Sequence, residues 1–355
     1  MYCRLRQLCA KSLIGTPPLL ASLGLHLVQD RKASTCSEQP SHASGMNYVE
    51  AQLTGLHKKD FVESGEWAAI TLYPPFTFRK AWETISYFRN IIRPHVNVKV
   101  WNARDKEAAE GLSKREFFQK YGFVLLERKT AMTSRDWVQS SPKTLDLSHF
   151  TGYGMPDVET PLSRIYAKEV EEAIRYLVPE SKALGLDPLC ARRGPGTHNP
   201  NYSFGVHADY GLVGDDWAMP TQEVLDGFAD PGFQGMMVLN FWRPVLPMRG
   251  PVRKAPLAVC NPRSVNFNDV LPISIRWDHL GYVKMLALAH DEDQEWYYYP
   301  EMSLDEVLVF KSFQYFKSQE GPELNTCFHT AFNDPTTPPG AEPRQSAEYR
   351  VRVWF

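Results

Sequence analysis

Two short stretches carry side chains that could do chemistry together. In Phe204-Gly205-Val206-His207-Ala208-Asp209-Tyr210, an imidazole and a carboxylate stand two positions apart among apolar neighbours. On a β-strand, residues i and i+2 leave the same face. His207 and Asp209 would then lie side by side, with Ala208 turned away. A half-exposed strand with one polar face accounts for the pair as readily as two legs of a metal site do. The metal reading needs a third leg, and His329, in the middle of the strand-like "NTCFHTAFND", is the imidazole placed to supply it. Of the ten histidines most have ordinary explanations: His57, His95, His149 and His279 stand near turns or charged neighbours and read as solvated or locally hydrogen bonded. Two imidazoles and one carboxylate on one face of an iron leave the opposite face open, which is the arrangement of non-haem Fe(II) oxygenases. A zinc hydrolase uses similar ligands, but its helical H-E-x-x-H motif is absent.

The segment after His329 offers a place for an anion. In "PRQSAEYRVRVWF" alternation puts Ala347, Tyr349, Val351, Val353 and Phe355 on one face and Arg344, Ser346, Glu348, Arg350 and Arg352 on the other. Turned inward, that polar file is costly without partners. Glu348 can offset one arginine. A carboxylate held by the Arg344 guanidinium and the Ser346 hydroxyl would offset another, so a dicarboxylate with its far end on the metal meets both needs. Arg352, at the end of the file, reads as a charge that meets water.

Short strands and a few helices must position these groups. "SKREFFQKYGFVLLER" predicts a helix capped by Ser113 with Glu116, stopped at Gly122 and followed by the strand "FVLLE". Residues 160–178 predict a longer helix, with Thr160 as cap, Pro161 in the first turn and an apolar stripe of Leu162, Ile165, Tyr166, Val170, Ile174 and Leu177. From Arg192 onward, short runs rich in β-branched and aromatic residues alternate with Gly, Pro, Asn and Asp. They predict an all-β sandwich or barrel preceded by helices, with "GDDWAMPTQEVLDGFADPGFQG" as a helical insertion. No fixed period repeats, which argues against a propeller or solenoid.

The 355 residues, 43% hydrophobic and 12% aromatic, are enough to bury a substantial core. A formal charge of −2 gives no general reason to expect nucleic acid or an anionic membrane as partner, and no apolar run is long enough to span a bilayer. The six cysteines are scattered without CxxC pairs and read as reduced thiols. Residues 1–45 differ from the rest. They hold no acidic residue before Asp30, and Arg4, Arg6 and Lys11 are interleaved with Leu, Ala and Ser. This composition fits a mitochondrial transit peptide, a poor secretory signal, or an upstream extension with translation starting at Met46. The expected organisation is a presequence-like or disordered extension over 1–45 and a single domain over 46–355, with its jelly-roll core at about 192–355. A cytoplasmic location is expected, or a mitochondrial one if the extension targets.

The pieces "VHADY", "NFWRPV", "GPVRKAPLAVCNPRSV", "WYYYPEM", "DEVLVFKSF", "FHTAFNDP" and "PRQSAEYR" together resemble the CmcJ/AsaB-like (fungal GA4 desaturase-like) family of Fe(II)- and 2-oxoglutarate-dependent oxygenases. "EAQLTGL" and "YGFVLLE" extend the likeness toward Met46. The chain departs from that family at Gln314, where an aspartate is common, and in the long loop "DPTTPPGAEP". The resemblance implies a mainly β fold with helices (α+β), a double-stranded β-helix or jelly roll with N-terminal helical support. It implies iron on His207, Asp209 and His329, and 2-oxoglutarate on Arg344 and Ser346, with Asn240, Trp242 and Arg243 as weaker pocket candidates. Arg243 could instead pair with a carboxylate such as Asp269. The implied activity is that of a dioxygenase using dioxygen to hydroxylate or desaturate a small, largely apolar organic molecule, a secondary metabolite by family expectation. The aromatics of "EWYYYP" and "DDWAMP" point the same way. A methyltransferase, with "TGYGMPD" at 151–157 as a weak glycine-rich loop, and a non-catalytic jelly-roll binding protein are the rival readings.

Overall fold

The computed structural model describes residues 46–54, 69–72, 96–141, 159–187, 189–197, 199–214, 219–228, 230–277 and 281–355. The chain divides into two units, Met1–His42 and Ala43–Phe355, and all the strands and helices named below belong to the second. The histidines at 57, 95, 149 and 279 and the glycine-rich loop at 151–157 lie outside the described residues, as do residues 1–45.

The alternation after Met46 forms β1 (Tyr48–Leu53), which buries Ala51 and Leu53. β2 (Ala69–Leu72) and β3 (Val96–Asn102) come next. The Asn102 side chain accepts from the Arg104 amide and starts α1 (Ala103–Glu110). Ser113 and Glu116 close the expected capping box on α2 (Lys114–Tyr121). Gly122 then turns the chain at φ 75°, a conformation that favours glycine, into β4 (Phe123–Glu127). α3 (Ser134–Gln139) carries a second capping box, between Thr133 and Asp136.

The helix expected over 160–178 begins with a π turn, Leu162–Tyr166, before α4 (Ala167–Leu177). First-turn amides go to side chains there: Ser163 donates to Thr160 Oγ1 at 3.2 Å and Leu162 to Ser140 Oγ at 3.0 Å. The apolar stripe is nonetheless buried as read, with Ile165 only partly so.

The remaining strands are β5 (Ala183–Leu186), β6 (Ala191–Arg193), β7 (His207–Ala208), β8 (Gly235–Pro244) and β9 (Leu257–Cys260). They continue with β10 (Val270–Trp277), β11 (Gly281–Leu288), β12 (Trp296–Tyr298), β13 (Glu306–Phe316), β14 (His329–Ala331) and β15 (Ser346–Trp354). Short helix α5 (Thr221–Asp226) occupies the expected insertion between β7 and β8.

Two sheets result. A nine-stranded sheet runs β1-β3-β12-β9-β14-β7-β11-β10-β2, and a six-stranded one comprises β4-β13-β8-β15-β5 with β6 also on β15. The main core includes Val259 and Tyr297 of the first sheet together with Leu239, Phe241, Leu308 and Val351 of the second, and extends to Tyr166, Val170 and Ile174 of the helical layer. A separate cluster, including Ala51, Val100, Cys260, Leu286, Trp296 and Phe332, covers the other side of the nine-stranded sheet. The mainly β fold class is the one expected from sequence. The described cysteines, Cys190, Cys260 and Cys327, are free and buried. Among the described residues no helix is long and apolar enough to cross a membrane.

Candidate metal centre

β14 lies between β9 and β7, and its first residue pairs directly with the first residue of β7: His329 stands opposite His207. Opposed residues of antiparallel strands share a face, and the two imidazole rings lie 4.4 Å apart. Each ring is oriented through Nδ1 by a carbonyl two residues back, at 2.7 Å from Gly205 O for His207 and 3.1 Å from Cys327 O for His329. With Nδ1–H donating to those carbonyls, Nε2 keeps its lone pair for a metal. β7 ends at Ala208, and Asp209 comes after it in a bend that keeps its carboxylate beside the rings. One Asp209 oxygen lies 3.7 Å from His207 Nε2 and the other 3.7 Å from His329 Nε2. The three donor atoms lie within 4.8 Å of one another.

The electrostatics suit a cation. Burial, then His329, push the His207 imidazole down to about 4 despite the opposing pull of Asp209, so it is a neutral donor at pH 7. Burial alone would raise Asp209, but Arg350, His329 and His207 hold it down at about 2. Two imidazole nitrogens and an ionised carboxylate oxygen form the donor set that borderline divalent ions such as Fe(II) accept.

The six-stranded sheet supplies the facing wall. Its register sets Arg350 opposite Asn240, Glu348 opposite Trp242 and Ser346 opposite Pro244, so these side chains share one face. Arg350 Nη2 lies 2.8 Å from Asp209 Oδ1 and 2.5 Å from Glu348 Oε1. Asn240 Nδ2 approaches Asp209 Oδ2 at 3.5 Å. Phe310 of β13, opposite Asn240, packs on the His329 ring with centroids 4.8 Å apart.

Arg344 is buried just before β15. It donates through Nη1 to the Ala255 carbonyl, and its guanidinium carbon lies 4.3 Å from the Tyr202 ring centroid and 5.2 Å from that of Trp242. Its Nε has no hydrogen-bond partner, and no described carboxylate pairs with it. Burial, the largest influence, pulls this guanidinium down to about 9. An arginine so placed lacks an anion, and a ligand carboxylate would supply one. Ser346 is also buried.

Asn240 and Trp242 therefore stand on the face shared with Arg350 and Glu348, which turns toward the metal residues, but Arg243 does not. It points to the other face, where Nη2 donates to the carbonyls of Arg128, at 3.0 Å, and Leu304, and where its guanidinium lies over Tyr166. Strand alternation turns it away from the cavity, and backbone carbonyls take the place of the expected Asp269 carboxylate as its partners. Arg352 also departs from expectation: Nη2 lies 3.2 Å from Asp187 Oδ1. The aromatics of "EWYYYP" are core, since Trp296, Tyr297, Tyr298 and Tyr299 are all buried. Residues 215–218 of "DDWAMP" lie outside the described residues.

Sequence reasoning did not assign roles to Arg350 or Tyr202. Arg350 was visible as a member of the inward polar file, but its contact with Asp209 depends on how two sheets meet. Tyr202 donates to the Arg344 carbonyl at 2.8 Å as well as covering its guanidinium, and no local pattern marks it.

Comparison with known proteins adds to this geometry. A family model described as "Oxidoreductase/YMDC permease-like domain" matches residues 72–354. Aspirochlorine biosynthesis protein N of Aspergillus oryzae is 34% identical over 121 residues, covering 33% of this chain and 48% of that protein. Hydroxylase/desaturase asaB of Aspergillus flavus is 32% identical over 130 residues, covering 33% and 55%. The Fe(II)/2-oxoglutarate-dependent dioxygenase nvfI of Aspergillus novofumigatus is 32% identical over 116 residues, covering 32% and 39%. The matches span about half the length of these curated relatives or less. A solved structure of the iron and alpha-ketoglutarate-dependent endoperoxidase NvfI aligns with a TM-score of 0.56 at 17% identity, over 86% of this chain and 98% of the other. The fold is thus the jelly roll of that oxygenase, and the relatives agree with the CmcJ/AsaB-like resemblance carried by the motifs.

Proposed function

The chain belongs to the oxidoreductase/YMDC permease-like domain family, and from that premise we propose that it is an Fe(II)- and 2-oxoglutarate-dependent dioxygenase acting on a small, largely apolar organic molecule. One observation carries the reading. Two imidazole nitrogens and a carboxylate converge on one point, and the sheet that faces them is preceded by a buried arginine without a carboxylate partner.

His207, Asp209 and His329 would hold the iron, and Arg344 with Ser346 would hold the distal carboxylate of 2-oxoglutarate. Once bound, iron with 2-oxoglutarate and dioxygen supplies the oxidising power that opens a C–H bond, for hydroxylation or desaturation. The chain's own residues bind, orient and exclude water. The Nδ1–carbonyl bonds fix both imidazoles, Arg350 fixes Asp209, and Trp242 and Tyr202 sandwich Arg344 and limit its hydration. Phe310 and Tyr210 add apolar surface beside the metal residues, which suits an apolar substrate. The names of the relatives, a biosynthesis protein and a hydroxylase/desaturase of Aspergillus, support a fungal secondary metabolite as its class. The reading includes neither a nucleic-acid nor a membrane partner. It carries a cytoplasmic location, or a mitochondrial one if residues 1–45 act as a transit peptide.

The test is spectroscopic. Protein given Fe(II) and 2-oxoglutarate without oxygen should develop the weak visible band of a chelated keto acid. His329→Ala should lack the band. A band unchanged in His329→Ala would exclude this ligand set.

A further inference from the structure

Asp209 has two oxygens that can reach the donor cluster, and the opposite sheet holds them unequally. Oδ1 receives the Arg350 guanidinium at 2.8 Å, and the same Nη2 lies 2.5 Å from Glu348 Oε1. Arg350 is placed by its pairing with Asn240 in β8, and its guanidinium carbon lies 5.8 Å from the Tyr210 ring centroid. Oδ2 has only the long contact with Asn240 Nδ2, at 3.5 Å, and lies 3.7 Å from His329 Nε2. One carboxylate thus has a strongly held oxygen and a weakly held one.

That asymmetry matters to a metal. Two imidazoles and a single carboxylate oxygen occupy one face of an octahedral ion and leave the opposite face open. A keto acid bound through two atoms and a dioxygen molecule together need that whole face. If Asp209 closed on the ion with both oxygens, one of those positions would be lost. The ion pair at Oδ1 opposes that closure, because a two-oxygen grip must draw Oδ1 off the guanidinium.

We propose that Arg350 is a positioning residue that reserves Asp209 Oδ1 for itself, makes Asp209 a one-oxygen ligand, and so keeps the open face of the metal free for cosubstrate and dioxygen. Glu348 has the companion role of holding the guanidinium in place while offsetting its charge. The inference rests on the metal site proposed above and specifies how one of its ligands is controlled.

The number of water molecules on the bound ion can be counted without any turnover. Wild-type protein loaded with Mn(II) in isotopically labelled water, and read by pulsed electron paramagnetic resonance, should show three coordinated waters. Two waters would overturn the proposal, because Asp209 would then be using both oxygens despite Arg350. In Arg350→Gln the count should fall to two, with Mn(II) binding as tight as wild type or tighter. Affinity of the Fe(II)-loaded variant for 2-oxoglutarate should drop about tenfold or more, the loss of one charge-assisted bond's control. Arg350→Lys, which keeps a cation for Oδ1, should recover the third water at least in part. An unchanged count in Arg350→Gln, or no recovery in Arg350→Lys, would refute the assignment. Should Arg350→Gln not fold, Arg350→Met is read in its place, and a wild-type count of two overturns the proposal by itself. Three waters in wild type and two in Arg350→Gln, with no keto-acid band in wild type, would uphold the clamp and reject the dioxygenase reading, so the two failures are distinguishable.

Discussion

The strands β8 and β15 present two faces, and the arginines on them and just before β15 live under different conditions. On the outer face Arg243 donates to the carbonyls of Arg128 and Leu304 and lies over Tyr166, while Ala347, Tyr349, Val351 and Val353 join the core. On the cavity face Arg350 is held between Asp209 and Glu348. Burial alone would lower its pKa, but those two carboxylates raise it. Arg344, six positions earlier in the chain, meets one carbonyl and two ring faces and no carboxylate. The chain gives Arg350 two carboxylates and Arg243 two carbonyls, but Arg344 a single carbonyl. Arg344 carries its charge at about 2% exposure with the fewest polar partners of the three, and burial of this kind destabilises unless an anion is supplied.

Arg344→Met should therefore produce the largest effect. Losing two charge-assisted hydrogen bonds, each about 1.5–3 kcal/mol, should weaken 2-oxoglutarate binding to the iron-loaded protein about 100-fold or more. Without 2-oxoglutarate the same variant should unfold at the same temperature as wild type or higher, because an unmatched buried charge has been removed. Thermal unfolding with and without the keto acid reads both quantities. A large fall in unfolding temperature without ligand would mean that Arg344 is already satisfied by the chain, and the contrast between the arginines would collapse. The outer side offers the converse experiment. Ile174→Ala in α4, fully buried in the shared core, should cost about 2–5 kcal/mol. Metal and 2-oxoglutarate affinities per folded molecule should stay at their wild-type values.

The same division separates what could be read from the sequence and what could not. Local rules gave α2 with its Ser113–Glu116 box, the α4 stripe and the alternation of β15, because each depends on neighbours within a few residues. The pairing of His207 with His329 was accessible through chemistry: two late strands and a shared ligand type suggested it without giving a register. Arg243 was misjudged although it lies within a recognisable motif, since a strand's parity decides the face and the sequence of β8 is apolar enough on both sides to hide it. All of β8 is buried. The contacts of Arg350 with Asp209 and of Tyr202 with Arg344 span more than 140 residues each. They depend on how one sheet lies over the other, and no pattern within a strand encodes that.

The cavity face should also respond to pH in a way the outer face does not. His207 is shifted from 6.5 to about 4, mainly by burial. An unfolded chain takes up this proton near 6.5 and the folded one only near 4, so between those values the unfolded state binds more protons. Metal-free protein should accordingly lose stability as pH falls from about 6.5 toward 4 and keep it above that window. Asp209, lowered from 3.8 to about 2, adds a further loss below that range, with the same sign. Bound metal occupies the His207 lone pair, so the loaded protein should hold out to lower pH. Denaturant unfolding at a series of pH values checks this. Stability that stays flat from about pH 7 to 4.5 would mean that His207 titrates as a solvated imidazole and the cavity is wet.

The smallest effect is expected where the two conditions meet, at the end of β15. Arg352 has the same strand parity as Arg350, but its neighbour there is Gly185 of β5, and its guanidinium pairs with Asp187 at 3.2 Å and lies 5.7 Å from the Trp354 ring centroid. Its side chain is 20% exposed and that of Asp187 13%, so water and salt still reach the pair. Arg352→Gln should cost about 0.2–1 kcal/mol of stability, less at high salt. Fe(II) and 2-oxoglutarate affinities should not change, because the chain satisfies this cation as it does Arg243, although it sits on the cavity face. A weakened keto-acid affinity in Arg352→Gln would extend the functional part of that face to the end of the strand. Arg350 would then be the middle of the binding surface, where the present geometry makes it the boundary.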